Sequence, residues 1–534
     1  MSSTDPLLVL ATDLGGAPAE LKETHISRVA LSGEPGAGGV VLKQCKPVDF
    51  GFVDLRTREQ RRAALEKEHA VNDRFAPGVY RGVRELSDGE PVLEMLRLNE
   101  ADTLEAKVKR GEATAADLDP VLDHLLPLFE ASERTPQWGD PAVIRQNLTE
   151  NLDVLDEAER RFGVDLWAIA LRSEQLTCLT LIEPELDARA ADGWIRDGHG
   201  DLRCEHVYLT TDGVKVLDGI AFSDRLRCVD VADEVCFLAV DLKRLLEEQY
   251  ADSSWGGLHY ELLDRYGDRS GDPNAEPHCS VLLAFYESYR AAVRAKIAAI
   301  RALSTDSEGE RADALREAKR WIEPTLTWLT IMREMHVTVL VGGLSGSGKS
   351  TLAAALAERL GATQLRSDVI RKQLFPAGDD GSSDYSPEAT AETYDVLLNL
   401  LWHTFPNGVH AVVDATFRKG NQREQFLRIA RTEDPDEYAT LFVWCEVDDA
   451  VAERRIAGRA AEGADASDAT VDVRRTQAAK AEPPTEAEFA ALPHSALLRL
   501  DTDAPIETLV ERVIEALRDL VESDARVAGS GGVQ

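Results

Sequence analysis

The stretch "GLSGSGKS", Gly343 to Ser350, constrains what this chain can fold into more than any other segment. It fits G-x-x-x-x-G-K-[ST], with the apolar run "HVTVLVGG" before it and an Ala/Leu-rich helical pattern after it. A loop that leaves a strand and enters a helix this way lets backbone N–H groups wrap an anionic phosphate, and the helix start adds partial positive charge. Gly343, Ser345, Gly346, Ser347, Gly348 and Thr351 are the expected cradle. Lys349 is expected to reach the β- and γ-phosphates and Ser350 to offer a hydroxyl to Mg2+, which makes ATP and Mg2+ the expected cofactors.

From Val337 onward strand-like runs alternate with helical patterns: "VTVLVGG", helix 349–360, "ATQLRSD", "HAVVDAT", helix 421–431, "ATLFVWCEV", helix 449–461, "ALLRLDT" and helix 505–522. This predicts an α/β P-loop NTPase domain, a three-layer αβα unit with a parallel sheet, over 337–525, and a disordered tail at 526–534. Asp414 ends an apolar strand, where a carboxylate serves either the Mg2+ water shell or a strand-end turn. Arg455 and Arg459, four apart on one helix face, read as a clamp on transition-state charge or as a solvated basic face. Asp368 stands where a helix N-cap would. The segments "LRSDVIRKQLF", "VVDATF" and "RRIAGRAAEGADASDATVDVRRTQ", the last in the place of an Arg-bearing lid, resemble P-loop kinases of small molecules or polynucleotide ends. Polynucleotide kinase, chloramphenicol phosphotransferase and zeta toxin are relatives in that group. The resemblance implies that Asp368 accepts the proton of an acceptor hydroxyl, with Arg371 beside it to hold a phosphate or the substrate.

The preceding part of the chain reads differently. Strand patterns "HISRVALSG" and "VVLKQC" flank a Gly-rich turn and lead into the charged helical stretch "RTREQRRAALEKEHAVNDRF". Helical periodicity dominates 101–190, two short β-type runs fall within 200–222, and a helix-rich stretch from Ser280 to about Thr330 is broken at "STDSEGERADA". This predicts an α+β unit over 1–325, a β-rich lobe followed by a helical one, and a linker at 326–336. Within it, "GHGDLRCEHVYLTTDGVKVLDGI" has the spacing of a kinase catalytic loop, H-x-D-x-x-x-x-N, followed by an Asp on a turn. His199 and Asp201 open the motif, His206 stands in the place of Asn, and Asp218 follows in "VLDGI".

Together with "KPVDFGFVDLRTREQRRAALEKEHAVNDRFAPGVY" and "VDVADEVCFLAVDL", this half resembles aminoglycoside phosphotransferase-like proteins, and a branch of them often fused to a P-loop kinase domain. The resemblance implies a bilobal protein-kinase-like domain. In it Asp201 would deprotonate the acceptor hydroxyl, Asp218 would bind Mg2+, and Lys43 would contact the α/β-phosphates with Glu68 as its helix partner. Lys46 and Glu66 compete for the last two roles. His206 would be a second metal ligand, although Mg2+ prefers oxygen to imidazole. His199, Cys204 and His206 also have the residue types of a zinc site, but without a finger spacing or an evident fourth ligand.

A formal net charge of −35 disfavours binding to phosphate backbones and anionic lipid, and the two resemblances imply a small-molecule hydroxyl compound as the acceptor. The seven cysteines form no CxxC pair, and no long uninterrupted apolar run occurs, which together point to a reducing cytoplasm and no membrane span. The expectation is a bifunctional ATP-dependent phosphotransferase with one active site per domain. Its competitors are a P-loop enzyme regulated by a ligand-binding pseudokinase half, and a polynucleotide-end kinase. Oligomeric state is not legible.

Overall fold

The amino-terminal strand patterns pair as an antiparallel sheet of β1 (Glu20–Glu23), β2 (Ser27–Ser32), β3 (Val40–Cys45), β4 (Tyr80–Glu85) and β5 (Pro91–Leu96), in the order β1-β2-β3-β5-β4. The computed structural model describes residues 5–36, 38–49, 54–249, 257–275, 280–333, 336–376, 386–404, 409–432, 438–462, 470–489 and 494–528. One apolar cluster joins Ala30, Leu42 and Val92 of the sheet to Leu7 and Ala11 of the helix Pro6–Gly15. A second joins Leu93 and Met95 to Leu65 of the helix Arg58–Asn72. That helix starts on a capping box, in which Thr57 and Gln60 satisfy each other's backbone N–H groups. Because Leu65 faces the sheet, Glu68 and Asn72, three and seven positions on, share its face.

The expected hairpin is present as β7 (Val207–Thr210) and β8 (Gly213–Val216), and β6 (Ile195–Asp197) pairs with β9 (Cys228–Asp230). The H-G-D motif lies between β6 and β7, and Asp218 follows β8. Helices surround these strands, and the buried Arg189 ties them together by gripping Asp230 at 2.6 and 2.7 Å and Asp272 at 2.7 and 2.8 Å.

The carboxy-terminal sheet is wholly parallel: β10 (His336–Gly343), β11 (Thr363–Arg366), β12 (Ala411–Asp414), β13 (Tyr438–Glu446) and β14 (Ser495–Asp501) stand in the order β11-β12-β10-β13-β14. Every residue of β10 is buried, as a central strand covered on both faces requires. Leu352 and Leu356 of the helix Lys349–Leu360 pack on one face with Val513 and Leu517 of the helix Ile506–Ala528. Leu397, Leu401 and Phe426 cover the other face. These are the three layers expected.

The chain falls into two compact units, residues 1–147 with 184–294, and residues 148–183 with 295–534. The division expected along the sequence, 1–325 and 337–525, therefore differs from the compact units. The reason lies in the helix Ala168–Asp192, whose buried polar residues serve the carboxy-terminal unit. Thr177 Oγ1 donates to the Leu360 carbonyl at 2.8 Å, Ser173 Oγ accepts from His410 N at 2.9 Å, and Arg518 Nη2 donates to the Thr180 carbonyl at 2.6 Å. Helical periodicity alone does not say which neighbour such a face meets. The expected linker 326–336 is helical as far as Arg333, within the helix Glu308–Arg333. Of the expected tail at 526–534, the first residues continue the last helix to Ala528, and 529–534 lie outside the described residues.

Candidate functional site

The P-loop occupies the carboxyl end of β10. Gly343 has φ 149°, and a Cβ there would stand 2.6 Å from Ser347 Oγ and 2.8 Å from the Cys445 carbonyl, so the turn into the loop admits only glycine. Gly348 caps the helix Lys349–Leu360 with no side-chain hydrogen bond, which leaves the first N–H groups of that helix to a ligand. Lys349 is buried at the helix start, Ser350 is half-buried and Thr351 is exposed. Val341 pairs with Asp414 across β10 and β12, so Asp414 stands beside the loop. Asp414 Oδ2 accepts from Arg366 Nε at 3.3 Å, while Oδ1 is buried with no protein partner, as is Ser347 Oγ. A buried carboxylate oxygen and a buried hydroxyl left unmatched beside a phosphate cradle fit a hydrated Mg2+ and a nucleotide phosphate.

Asp368 lies on the first turn of the helix Ser367–Leu374, but Arg366 is the cap residue and the helix has no side-chain cap, so the N-cap reading fails. Asp368 follows β11, which pairs with β12 so that Arg366 is opposite Asp414. Arg371 is buried, and its Nη1 donates to Thr390 Oγ1 at 3.5 Å. Thr390 lines a cleft of about 680 Å³ together with Tyr394, Arg418, Lys419 and Gln477. Arg455 donates to Thr502 Oγ1 at 3.2 Å and to its carbonyl at 2.9 Å, and Thr502 in turn donates to the Ser347 carbonyl at 2.6 Å. The Arg455 guanidinium, about one-third exposed, therefore stands against Gly348 as part of the loop's support. The Arg459 side chain and the lid segment 463–469 lie outside the described residues.

Two further loop supports lie within the segment read as an Arg-bearing lid. Arg474 Nη1 donates to the Ser345 carbonyl at 2.6 Å, and Gln477 Oε1 accepts from Ser345 N at 2.9 Å. Arg423, by contrast, is structural: buried, it grips Glu488 at 2.7 and 3.0 Å and the Phe417 carbonyl at 2.9 Å.

In the amino-terminal unit Lys43 Nζ meets Glu68 Oε1 at 2.7 Å. The rivals are occupied elsewhere, Lys46 with Glu23 at 3.0 Å and Glu66 with Arg62 at 3.8 Å. Burial pushes Lys43 down, but Glu68 and Asp218 outweigh it and hold the ammonium well above its ordinary value, so it stays charged. Asp218 follows β8 with φ 63°, a left-handed conformation that is costly for a residue with a side chain. Its N–H is held by the Tyr80 hydroxyl at 3.2 Å, and Gly219 N donates to Asn72 Oδ1 at 2.7 Å. Asn72 lies on the Glu68 helix, so one helix face fixes both the Lys43 pair and the Asp218 turn. The Asp218 side chain is exposed.

The H-G-D loop is pinned from below. Glu234 Oε1 accepts from His199 N and Gly200 N, both at 2.6 Å, and Arg290 donates to the Gly200 carbonyl at 3.1 Å while gripping Asp233. Burial raises Glu234 to about 7 against Arg290 and its two N–H donors, and lowers His199 to about 4. Asp201 accepts from Arg203 Nε at 2.9 Å and Nη2 at 3.0 Å. Burial would raise its carboxyl, yet Arg203 and then His206 hold it below the usual range. His206 lies where the spacing put it, but its Nε2 accepts from Arg203 Nη2 at 3.1 Å, which does not suit the role of metal ligand. The zinc alternative also fails: His199 Nε2 bonds the Leu217 carbonyl at 2.9 Å, and no group of three or more His, Cys, Asp or Glu is placed to hold a metal among the described residues.

An AAA domain family model matches residues 338–484. That span holds the P-loop and the first four strands of the parallel sheet, β10 to β13. Uncharacterised proteins of Mycobacterium tuberculosis and Mycobacterium bovis are 29% identical over 483 residues, covering 86% of this chain and 90% of each relative. Among solved structures, a sugar kinase from Janibacter sp. is 20% identical with a TM-score of 0.26, over 34% of this chain and 92% of that one. A gluconokinase from Sinorhizobium meliloti is 19% identical with a TM-score of 0.25, over 36% and 95%. Among the described residues no helix is long and apolar enough to cross a membrane.

Proposed function

We propose that the protein is a two-site ATP-dependent phosphotransferase that passes the γ-phosphoryl group of ATP to hydroxyl groups of small molecules. The reading rests above all on the P-loop and Asp414 meeting at the carboxyl ends of the neighbouring strands β10 and β12, where Asp414 Oδ1 and Ser347 Oγ are buried without protein partners.

In the carboxy-terminal unit the uncapped helix start and Lys349 would bind the phosphates, and Ser350 and Asp414 would hold Mg2+. Bound there, the ion would neutralise charge developing between the β- and γ-phosphates. Asp368 would accept the proton of the acceptor hydroxyl as its oxygen attacks the γ-phosphorus and the bond to the bridging oxygen breaks. Arg371 and the cleft at Thr390 and Arg418 would orient that acceptor. In the amino-terminal unit the Lys43–Glu68 pair, Asp201 and Asp218 support the same division of labour on a kinase-like lobe pair.

A second reading has its own observation. Arg203 holds both oxygens of Asp201, as a unit that binds nucleotide without transferring phosphate would allow. Phosphate release and transfer measured over a panel of sugars, polyols and oligonucleotide ends, on the wild type, Asp201→Asn and Lys349→Ala, separates the readings. Acceptor-dependent turnover that survives Lys349→Ala and vanishes on adding Asp201→Asn supports two enzymes. Turnover abolished by Lys349→Ala alone supports the regulatory half, and stimulation by oligonucleotide ends alone points to a polynucleotide kinase.

A further inference from the structure

We infer that Arg203 takes the place of a second divalent cation in the amino-terminal site, so that this site works with a single metal ion held at Asp218. The inference rests on the reading of that unit as a Mg·ATP site.

Asp201, Glu205 and His206 of the loop all offer acceptors, and one guanidinium engages all three side chains. Arg203 Nε lies 2.9 Å from Asp201 Oδ1 and Nη2 lies 3.0 Å from Oδ2, a bidentate grip that takes one lone pair of each oxygen and sets a fixed cation against the carboxylate. His206 Nδ1 is 2.8 Å from the main-chain carbonyl of Asp201, which can only accept, so Nδ1 carries the proton and Nε2 carries the lone pair. That lone pair is the one a metal would need, and it already accepts from Arg203 Nη2 at 3.1 Å. The remaining nitrogen, Nη1, bonds Glu205. The neighbouring carboxylate that could have replaced His206 as an oxygen ligand is thus engaged by the same side chain.

The arrangement is anchored. Cys204 N donates to Asp241 Oδ2 at 2.9 Å, and Leu217 N donates to the His206 carbonyl at 3.0 Å, so backbone on either side of Glu205 is tied to packed elements. The Arg203 side chain is only 13% exposed, which limits its freedom to swing away. A guanidinium keeps its charge at any working pH, so the site holds a permanent cation where others would recruit an exchangeable one. Asp218 remains as the exposed carboxylate for the ion that accompanies ATP, consistent with the habit of Mg2+ of taking one or two carboxylates plus phosphate oxygens. On this account the imidazole at position 206 positions Arg203 by accepting from it.

The test uses the full chain carrying Lys349→Ala, which silences the P-loop, titrated with Mn2+ in the presence of a non-hydrolysable ATP analogue and read by electron paramagnetic resonance. Mn2+ accepts both oxygen and imidazole ligands, so it reports on either arrangement. One Mn2+ per chain without histidine nitrogen coupling is expected. Arg203→Met should admit a second Mn2+ that shows imidazole coupling, and Arg203→Met with His206→Gln should lose the coupling. Two ions, or imidazole coupling, with Arg203 in place overturns the inference, and that outcome requires no loop variant to fold. A single, uncoupled ion in Arg203→Met also overturns it. Absence of any nucleotide-dependent Mn2+ in the Lys349→Ala chain is a separate failure, because it removes the Mg·ATP reading of the unit and the inference with it.

Discussion

The two candidate sites handle charge in opposite ways. At the P-loop, Asp414 Oδ1 and Ser347 Oγ are buried without partners and the helix start is uncapped, so the protein leaves both acceptors and donors to be completed by a ligand. In the amino-terminal site Lys43 is paired with Glu68, and Asp201 and His206 are both held by Arg203. The first site gains hydrogen bonds by binding, whereas the second must largely keep or exchange bonds it already has. Buried unmatched polar groups cost stability, so on the proposed reading those at the P-loop are the ones a bound Mg·ATP would satisfy.

The comparison breaks most visibly at Lys349. Lys349→Ala and Asp414→Asn should each lower turnover at the P-loop site by about 10²–10³-fold, the loss typical of a preorganised group facing transition-state charge. Asp201→Asn should leave that site's rate within about twofold, since Asp201 belongs to the other compact unit. A steady-state ATPase assay with acceptor present reads both, and equal losses in all three variants would erase the distinction between the sites.

A smaller effect sharpens the amino-terminal side. In a Lys349→Ala chain, Glu68→Gln should reduce the remaining turnover by about tenfold, matching the roughly 1–1.5 kcal/mol that separates a charge-assisted bond from a neutral one. Glu66→Gln should change nothing measurable, because among the described residues Glu66 pairs with Arg62 on the exposed side of its own helix. A loss with Glu66→Gln instead would move the helix partner of Lys43.

The smallest effect is one of pH. Glu234 is raised from 4.5 to about 7, so between those values the folded chain holds a proton there that the unfolded chain has released. Its contribution is therefore full below about pH 4.5 and is lost as pH rises through about 7. Glu234→Gln keeps an oxygen for His199 N and Gly200 N but removes the ionisation. The variant should gain on the wild type by about 1–3 kcal/mol between pH 5 and pH 8, read from urea unfolding at both values. His199 titrates in both chains and cancels in the difference. A gap that does not change with pH would mean that Glu234 stays charged and is compensated by Arg290.

What could be read from the sequence follows how local each signal is. The P-loop, the helix Lys349–Leu360 and Asp414 at a strand end each depend on neighbours within a few residues, and all stand where the pattern put them. Lys43 and Glu68 were legible as a strand and a helix position, although Lys46 and Glu66 stood as rivals until the 2.7 Å contact between Lys43 and Glu68 showed which two meet. The supports were not legible. Asn72 reaches Gly219, Glu234 reaches His199, and Thr502 reaches Ser347, contacts between residues far apart in sequence that no spacing rule connects. The strand order of the parallel sheet was hidden for the same reason, and so was the burial of Ser173, Thr177 and Thr180 in the carboxy-terminal unit. Arg203 lay in plain view within the quoted loop, but only geometry shows that one side chain serves Asp201 and His206 together.

The most direct measurement is the number of nucleotides a single chain binds. Equilibrium binding of a non-hydrolysable ATP analogue with Mg2+ should give two per chain in the wild type and one in Lys349→Ala, and Lys43→Met with Asp218→Asn should remove the one that remains. One nucleotide per wild-type chain, lost entirely in Lys349→Ala, would contradict the account of two phosphotransfer sites.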